Sequence, residues 1–205
     1  MDKHSIYKSI FRLLWLAVLL LLPAMGALAQ VSVRVGRHVP NVETWIRNTF
    51  AHGKVPPFSF VYDGQPSALF IKTWLYEASS QPTGNPDEVI YTFTYTHPQD
   101  GLRVRCDVKG YLSYGSIDWT LHVENCGQVD SKSIRSLQAV NLALQYGRRG
   151  SFVMNYIEGS QITNADFQPR QLTLPAGKPM VMSPEGGRSS QGKYTPFFCI
   201  TSPRG

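Results

Sequence analysis

The sequence predicts an all-β chain: an antiparallel β-sandwich with one short amino-terminal helix, preceded by a signal peptide. Three observations carry that reading. Arg103 to Lys109 alternates without a break, with Val104, Cys106 and Val108 on one face and Arg103, Arg105, Asp107 and Lys109 on the other. Ile117 to Val123 repeats the pattern, with Ile117, Trp119, Leu121 and Val123 inward and Asp118, Thr120 and His122 outward. Period two with one polar face describes an antiparallel sheet wetted on one side. Many short runs of this kind, separated by Gly- and Pro-rich turns, indicate a sandwich or a barrel.

Residues 1–29 read as a signal peptide. Lys3, Lys8 and Arg12 outweigh Asp2, and Leu13 to Leu22 is a run of ten apolar residues. A bilayer-spanning helix needs roughly 20. Ala27-Leu28-Ala29 supplies a small-x-small cleavage pattern, which places Gln30 first in the mature chain. The alternative is an uncleaved anchor; Pro23 and Gly26, which break the helix just before the small residues, argue against it. No later segment is apolar and long enough to span a membrane, so the expected location is periplasmic or extracellular.

Residues 30–54 form a lead-in with the helix. Asn41 is its N-cap, and Val42, Trp45, Ile46, Thr49 and Phe50 fall near i, i+3, i+4, i+7 and i+8. Gly53 closes it, and Pro56-Pro57 forces extended chain. Residues 55–205 are assigned to the sandwich. Val89 to Thr96 alternates Tyr91, Phe93 and Tyr95 with Thr92, Thr94 and Thr96, and both halves favour strand. Further strands are expected at Val31–Val35, Phe58–Tyr62, Ile134–Tyr146, Ser151–Ile157, Gln171–Leu174, Pro179–Met182 and Thr195–Thr201. His97-Pro98-Gln99-Asp100-Gly101 reads as a hairpin loop, and Asn125-Cys126-Gly127 ends another strand.

The mature chain of 176 residues fits one domain, which buries roughly 70% of its unfolded surface. Its formal charge is +4, against +6 for the whole chain. The basic residues are scattered, and Arg148-Arg149 is their one adjacent pair. A nucleic-acid binder shows a clustered stripe, so that class is set aside. Cys106, Cys126 and Cys199 are odd in number, so at least one is unpaired within the chain. Export permits a disulfide, but the three read as buried thiols. No Cys or His spacing suggests a metal site, and no cofactor is expected.

The familiar enzyme motifs are missing: no G-x-S-x-G elbow, no phosphate loop, no dinucleotide fingerprint. His38, His52 and His97 sit in or beside turns, and His122 lies on a solvated strand face. Acid–base work on a sugar needs two carboxylates facing each other roughly 5–5.5 Å apart for retention. Asp107, Asp118, Glu124 and Asp166 are outward strand or loop residues, and nothing marks a pair. Trp74 is the candidate substrate-binding residue, because a Trp beside a loop offers a flat face to a sugar ring. Trp119 reads as core.

Four segments, taken in order, resemble a known family. They are Pro57-Phe58-Ser59-Phe60-Val61-Tyr62-Asp63-Gly64 with Pro66-Ser67 and Trp74; Tyr114-Gly115-Ser116-Ile117-Asp118-Trp119 running to Glu124-Asn125-Cys126-Gly127; Asn164-Ala165-Asp166-Phe167-Gln168-Pro169; and Gly186-Gly187-Arg188-Ser189-Ser190 followed by Pro196-Phe197-Phe198. Their order and spacing over residues 55–205 resemble the amino-terminal β-sandwich domain of α-galactosidases of glycoside hydrolase family 36 and their melibiase-like relatives. The resemblance implies a supersandwich-like fold joined to a (β/α)₈ barrel, where that family keeps its catalytic aspartates. It implies a carbohydrate partner, an α-galactoside, met through a barrel that this chain lacks. The chain alone is then expected to be inactive, with no catalytic residue of its own. The resemblance also carries onto Trp74 the part of reaching the mouth of the site. Cys126 stands where the family's Glu-Asn-x-Gly turn has Thr. The competing readings are a free-standing carbohydrate-binding module and a structural envelope protein. A homo-oligomer stays open. A last expectation is an exposed apolar patch near residues 194–205, where Tyr194 to Ile200 runs apolar with little alternation after Pro196.

Overall fold

The computed structural model describes residues 31–34, 41–145, 151–175, 177 and 179–201. The signal peptide assigned to residues 1–29, and Gln30 after it, lie outside the described residues. The chain gathers into two compact units that divide close to residue 143. A strand β1 (Val31–Arg34) and a later one, β9 (Leu142–Gln145), form a two-stranded sheet.

The first unit starts with α1 (Val42–Thr49), capped at its start where the Thr44 N–H donates to the Asn41 side chain at 3.0 Å. Val42, Ile46 and Thr49 are buried, as the helical spacing requires. Next come β2 (Ser59–Tyr62), β3 (Gln65–Pro66) and two 3₁₀ turns, Ser67–Leu69 and Ile71–Thr73. Four strands then run as an antiparallel meander: β4 (Leu75–Gln81), β5 (Glu88–Thr96), β6 (Leu102–Tyr111) and β7 (Ser116–Asn125). β8 (Ile134–Gln138) returns to pair with β2, giving a small sheet in the order β3-β2-β8.

The register explains the core. Phe93 of β5 pairs with Cys106 of β6, which pairs with Leu121 of β7. Every second residue of β6 from Leu102 is therefore buried, while Arg103, Arg105, Asp107 and Lys109 face outward. α1 and the small sheet cover the inner face of the meander. The Phe50 ring stacks on Phe93, with centroids 4.7 Å apart, and Phe58 meets Tyr95 edge-on at 5.8 Å. Each such side chain contributes about 1.5–3 kcal/mol on burial. The outer face carries cross-strand ion pairs, Arg103 with Glu124 at 3.7 Å and Lys109 with Glu88 at 2.9 Å. Partly exposed pairs of this kind add little stability. The result is a two-layer, sandwich-like, all-β unit with one short helix.

The second unit contains β9 in part (Leu142–Gln145), β10 (Val153–Ile157), β11 (Pro169–Thr173) and β12 (Phe198–Thr201). β10 lies between β11 and β12, antiparallel to both. The loop before β11 is organised by Asp166, whose carboxylate accepts from the Ser160 hydroxyl at 2.6 Å and from the Gln161, Ile162 and Thr163 N–H groups. Those bonds, the Ser160 hydroxyl foremost, hold its carboxyl down at about 2.

Several expectations differ from the structure. β4 was not expected, because Leu-Tyr-Glu-Ala-Ser-Ser-Gln neither alternates in polarity nor favours strand; its pairing with β5 makes it one. The run Ile134–Tyr146 is two strands, β8 and β9: Ser136 within β8 has a positive φ of 51°, and in the break the Asn141 N–H donates to Pro57 O at 2.7 Å. Tyr146 lies outside the described residues, as does Val35. Pro179–Met182 is irregular. Of the three thiols, all unpaired, Cys106 is buried but Cys126 and Cys199 are exposed. Cys126 sits beyond the end of β7, and Cys199 lies on β12.

Candidate functional site

Trp74 stands where the second 3₁₀ turn runs into β4. The β2–β3 hairpin that shapes its surroundings turns at Asp63 and Gly64, both at positive φ (51° and 76°), as a two-residue hairpin turn demands. The hairpin sets Tyr62 beside the indole, their centroids 6.0 Å apart. Trp74 also stacks on Phe70 at 5.3 Å and meets the His97 ring edge-on at 5.2 Å. It is 3% exposed. The expected open sugar platform is therefore a buried wedge. Trp119, expected in the core, faces inward but is only partly buried, and its Nε1 donates to Ala139 O at 2.7 Å.

Around Trp74 lies a set of polar groups. The Tyr62 hydroxyl donates to the Asp100 carboxylate and accepts from the Lys132 N–H at 3.2 Å. His97 Nδ1 is 2.8 Å from the other Asp100 oxygen, which also accepts from the Leu102 N–H at 3.2 Å. The same Nδ1 lies 3.2 Å from the Asp100 N–H. The Gln99 N–H also donates to this nitrogen, at 3.4 Å. Lys132 Nζ meets the exposed Asp63 at 2.6 Å. Burial pushes the Asp100 carboxyl up, but the Tyr62 and Leu102 hydrogen bonds and the charges of His97 and Lys132 outweigh it and leave it below its ordinary value. Burial first, then donation to Asp100, raises the Tyr62 hydroxyl to about 12.

Tyr62, Asp63, His97 and Lys132 of this set, with Phe70 and Trp74, border an open cleft of about 280 Å³. Aromatic edges beside a carboxylate and an ammonium suit a small polar ligand that offers hydroxyls. The sequence had marked Trp74 in this neighbourhood but not Tyr62, His97, Asp100 or Lys132. His97 and Asp100 sit three apart in one loop, a spacing that hints at a local pair. Lys132 arrives only through the β2–β8 pairing.

The carboxylates considered for acid–base work are engaged elsewhere. Asp107 and Glu124 share Arg105 on the outer sheet face at 3.3 and 3.8 Å, and His122 also reaches Asp107 at 3.1 Å. Asp118 accepts from Tyr111, and Asp166 holds its own loop. His52 lies against Tyr76, 5.3 Å between centroids; His38 is outside the described residues. Among the described residues no three His, Cys, Asp or Glu side chains gather as a metal site, and no helix is long and apolar enough to cross a membrane.

A second surface lies in the other unit. Phe197 and Phe198 are 73% and 59% exposed. They border, with Ile157, Pro169 and Cys199, an open groove of about 460 Å³ on the β11-β10-β12 sheet. Both rings stand in solvent. Comparison with protein-family models, with curated proteins and with solved structures finds no match to the chain.

Proposed function

We propose that the chain is a non-catalytic, amino-terminal β-sandwich domain of an exported, α-galactosidase-like glycoside hydrolase. Its part is to brace a (β/α)₈ barrel and to shape one wall of that barrel's sugar site. One observation carries the reading: the exposed Phe197–Phe198 pair beside the β11-β10-β12 sheet of the second unit. Two neighbouring exposed aromatic rings are costly in water and are relieved by a covering protein surface. The ordered resemblance of residues 55–205 names the kind of protein that would cover them. With its indole buried, Trp74 serves by holding Tyr62, His97 and the Lys132 segment in place rather than by offering its own face to a sugar.

The cleft beside Trp74 favours a second reading, a free-standing carbohydrate-binding module. Two measurements separate the readings. The reading frame beyond the Gly205 codon should encode a barrel; a stop codon there with no barrel gene beside it overturns the first reading. The purified chain should show no affinity for α-galactosides in titration calorimetry; saturable binding, lost in Asp63→Ala and Lys132→Ala, favours the second.

A further inference from the structure

β4 (Leu75–Gln81) is a sheet edge: among the described residues it pairs with β5 and with no other strand. An edge presents a row of unused N–H and C=O groups, and proteins blunt it with Pro, Lys, a bulge or a covering segment. β4 has none of the first three. Its register with β5 is unbroken over all seven residues, six of them are exposed, and Glu77 is its one charge. The opposite edge, β7, differs. It carries Asp118, His122 and Glu124, and Trp119 ties the Ala139 segment to it.

We propose that β4 pairs antiparallel with β4 of a second copy of this chain, about a two-fold axis at Ala78, joining two four-stranded sheets into one. The occupant follows from how the strand meets itself. With Ala78 opposite its own copy, Tyr76 faces Ser80, Glu77 faces Ser79 and Leu75 faces Gln81, so all seven residues pair. The large ring falls opposite a small side chain, and the single carboxylate never meets itself. Centring on Glu77 instead would set two carboxylates directly opposite, which is unfavourable. The inner side has room for the ring. Ala78 and Ser80 leave an open groove of about 290 Å³ walled by Arg47, Tyr76, Tyr91 and Phe93, and the second copy's Tyr76 borders it. The symmetry is that of an isologous dimer. This inference stands apart from the proposed function.

Ser79 is exposed and lies on the outer face across from Thr92, so its replacement leaves the core untouched. Ser79→Glu sets two like-charge pairs across the dimer seam, and Ser79→Lys sets two opposite-charge pairs with Glu77. Sedimentation velocity over a concentration series of the purified chain should show a reversible dimer. S79E should weaken it and S79K tighten it, with dissociation constants at least about tenfold apart. Ala78→Cys, in a chain with Cys126 and Cys199 replaced by Ser, should oxidise to a disulfide-linked dimer whether or not S79E folds. A monomer at every concentration, equal responses to S79E and S79K, or an A78C thiol that stays monomeric under oxidation overturns the proposal.

Discussion

The Tyr62 hydroxyl donates to the Asp100 carboxylate across 38 positions of chain, and its oxygen accepts from the Lys132 N–H. One side chain thereby fastens the β2–β3 hairpin, the β5–β6 loop and the segment after β7 to one another. Tyr62→Phe keeps the ring and removes both bonds, leaving a partly buried carboxylate and an N–H short of a partner. The expected cost is about 1–3 kcal/mol. The urea midpoint should fall with an unchanged slope; a midpoint equal to the wild type's would show that water replaces both bonds without loss.

The same pair sets a pH window. The Tyr62 hydroxyl is raised from its ordinary 10.0 to about 12, so folding favours the protonated form. Its contribution is complete below pH 10 and is lost as pH rises toward 12. Asp100 is shifted down from 3.8, so its contribution is complete above that value and is lost as pH falls below it. Tyr76, Tyr91 and Tyr95 are also shifted upward, chiefly by burial. Thermal melts should therefore show an alkaline fall in stability that Y62F makes shallower without abolishing it. An alkaline limb unchanged by Y62F would exclude Tyr62 as a contributor.

Trp74 and Trp119 both face inward, but their expected order of burial is reversed. Trp74 is 3% exposed among Phe60, Tyr62, Phe70 and His97. Trp74→Ala should therefore cost roughly 3–5 kcal/mol, as large core truncations do. Trp119→Ala, from a partly buried site, should cost less. Chemical denaturation of both variants checks the order, and a larger loss for Trp119 would reverse it.

That reversal shows what was legible in the sequence. Period-two alternation revealed β5, β6 and β7, and Asn41 with its spaced apolar residues revealed α1, because those signals are local. They do not tell which inward residue lies at the middle of a sheet and which lies near its rim. Trp119 points inward yet belongs to an edge strand, while Trp74 belongs to a turn that other elements bury. Cys199 misled for the same reason: an apolar run predicts burial only if another layer covers it. The Tyr62–Asp100–Lys132 cluster joins three distant segments, and its members carry no pattern in common.

The thiols should separate by reactivity. The thiolate is the attacking species. Burial pushes Cys106 up to about 12, whereas Cys126 and Cys199 are exposed. A disulfide reagent at neutral pH should titrate Cys126 and Cys199 rapidly in the folded chain and Cys106 only on unfolding. Mass mapping of the labelled peptides checks this, and early labelling of Cys106 would mean that the meander opens far more readily than its packing implies.

Gly127 shapes the Asp100 loop from behind. The Cys126 N–H donates to Gly101 O at 3.1 Å, which draws the end of β7 against the β5–β6 loop. A side chain at Gly127 would collide with the Asp100 carbonyl oxygen, a backbone atom that no rotamer change can move aside. Gly127→Ala must therefore displace the loop. Overpacking of this kind costs about 1–3 kcal/mol, and the displacement should also carry Asp100 away from Tyr62. The two effects can be told apart. In the G127A background Y62F should cost much less than in the wild type, because the bond it removes is already impaired. Additive losses would mean that the loop absorbs the methyl group without moving Asp100, and that Gly127 supports the chain's path but not the Tyr62–Asp100 bond.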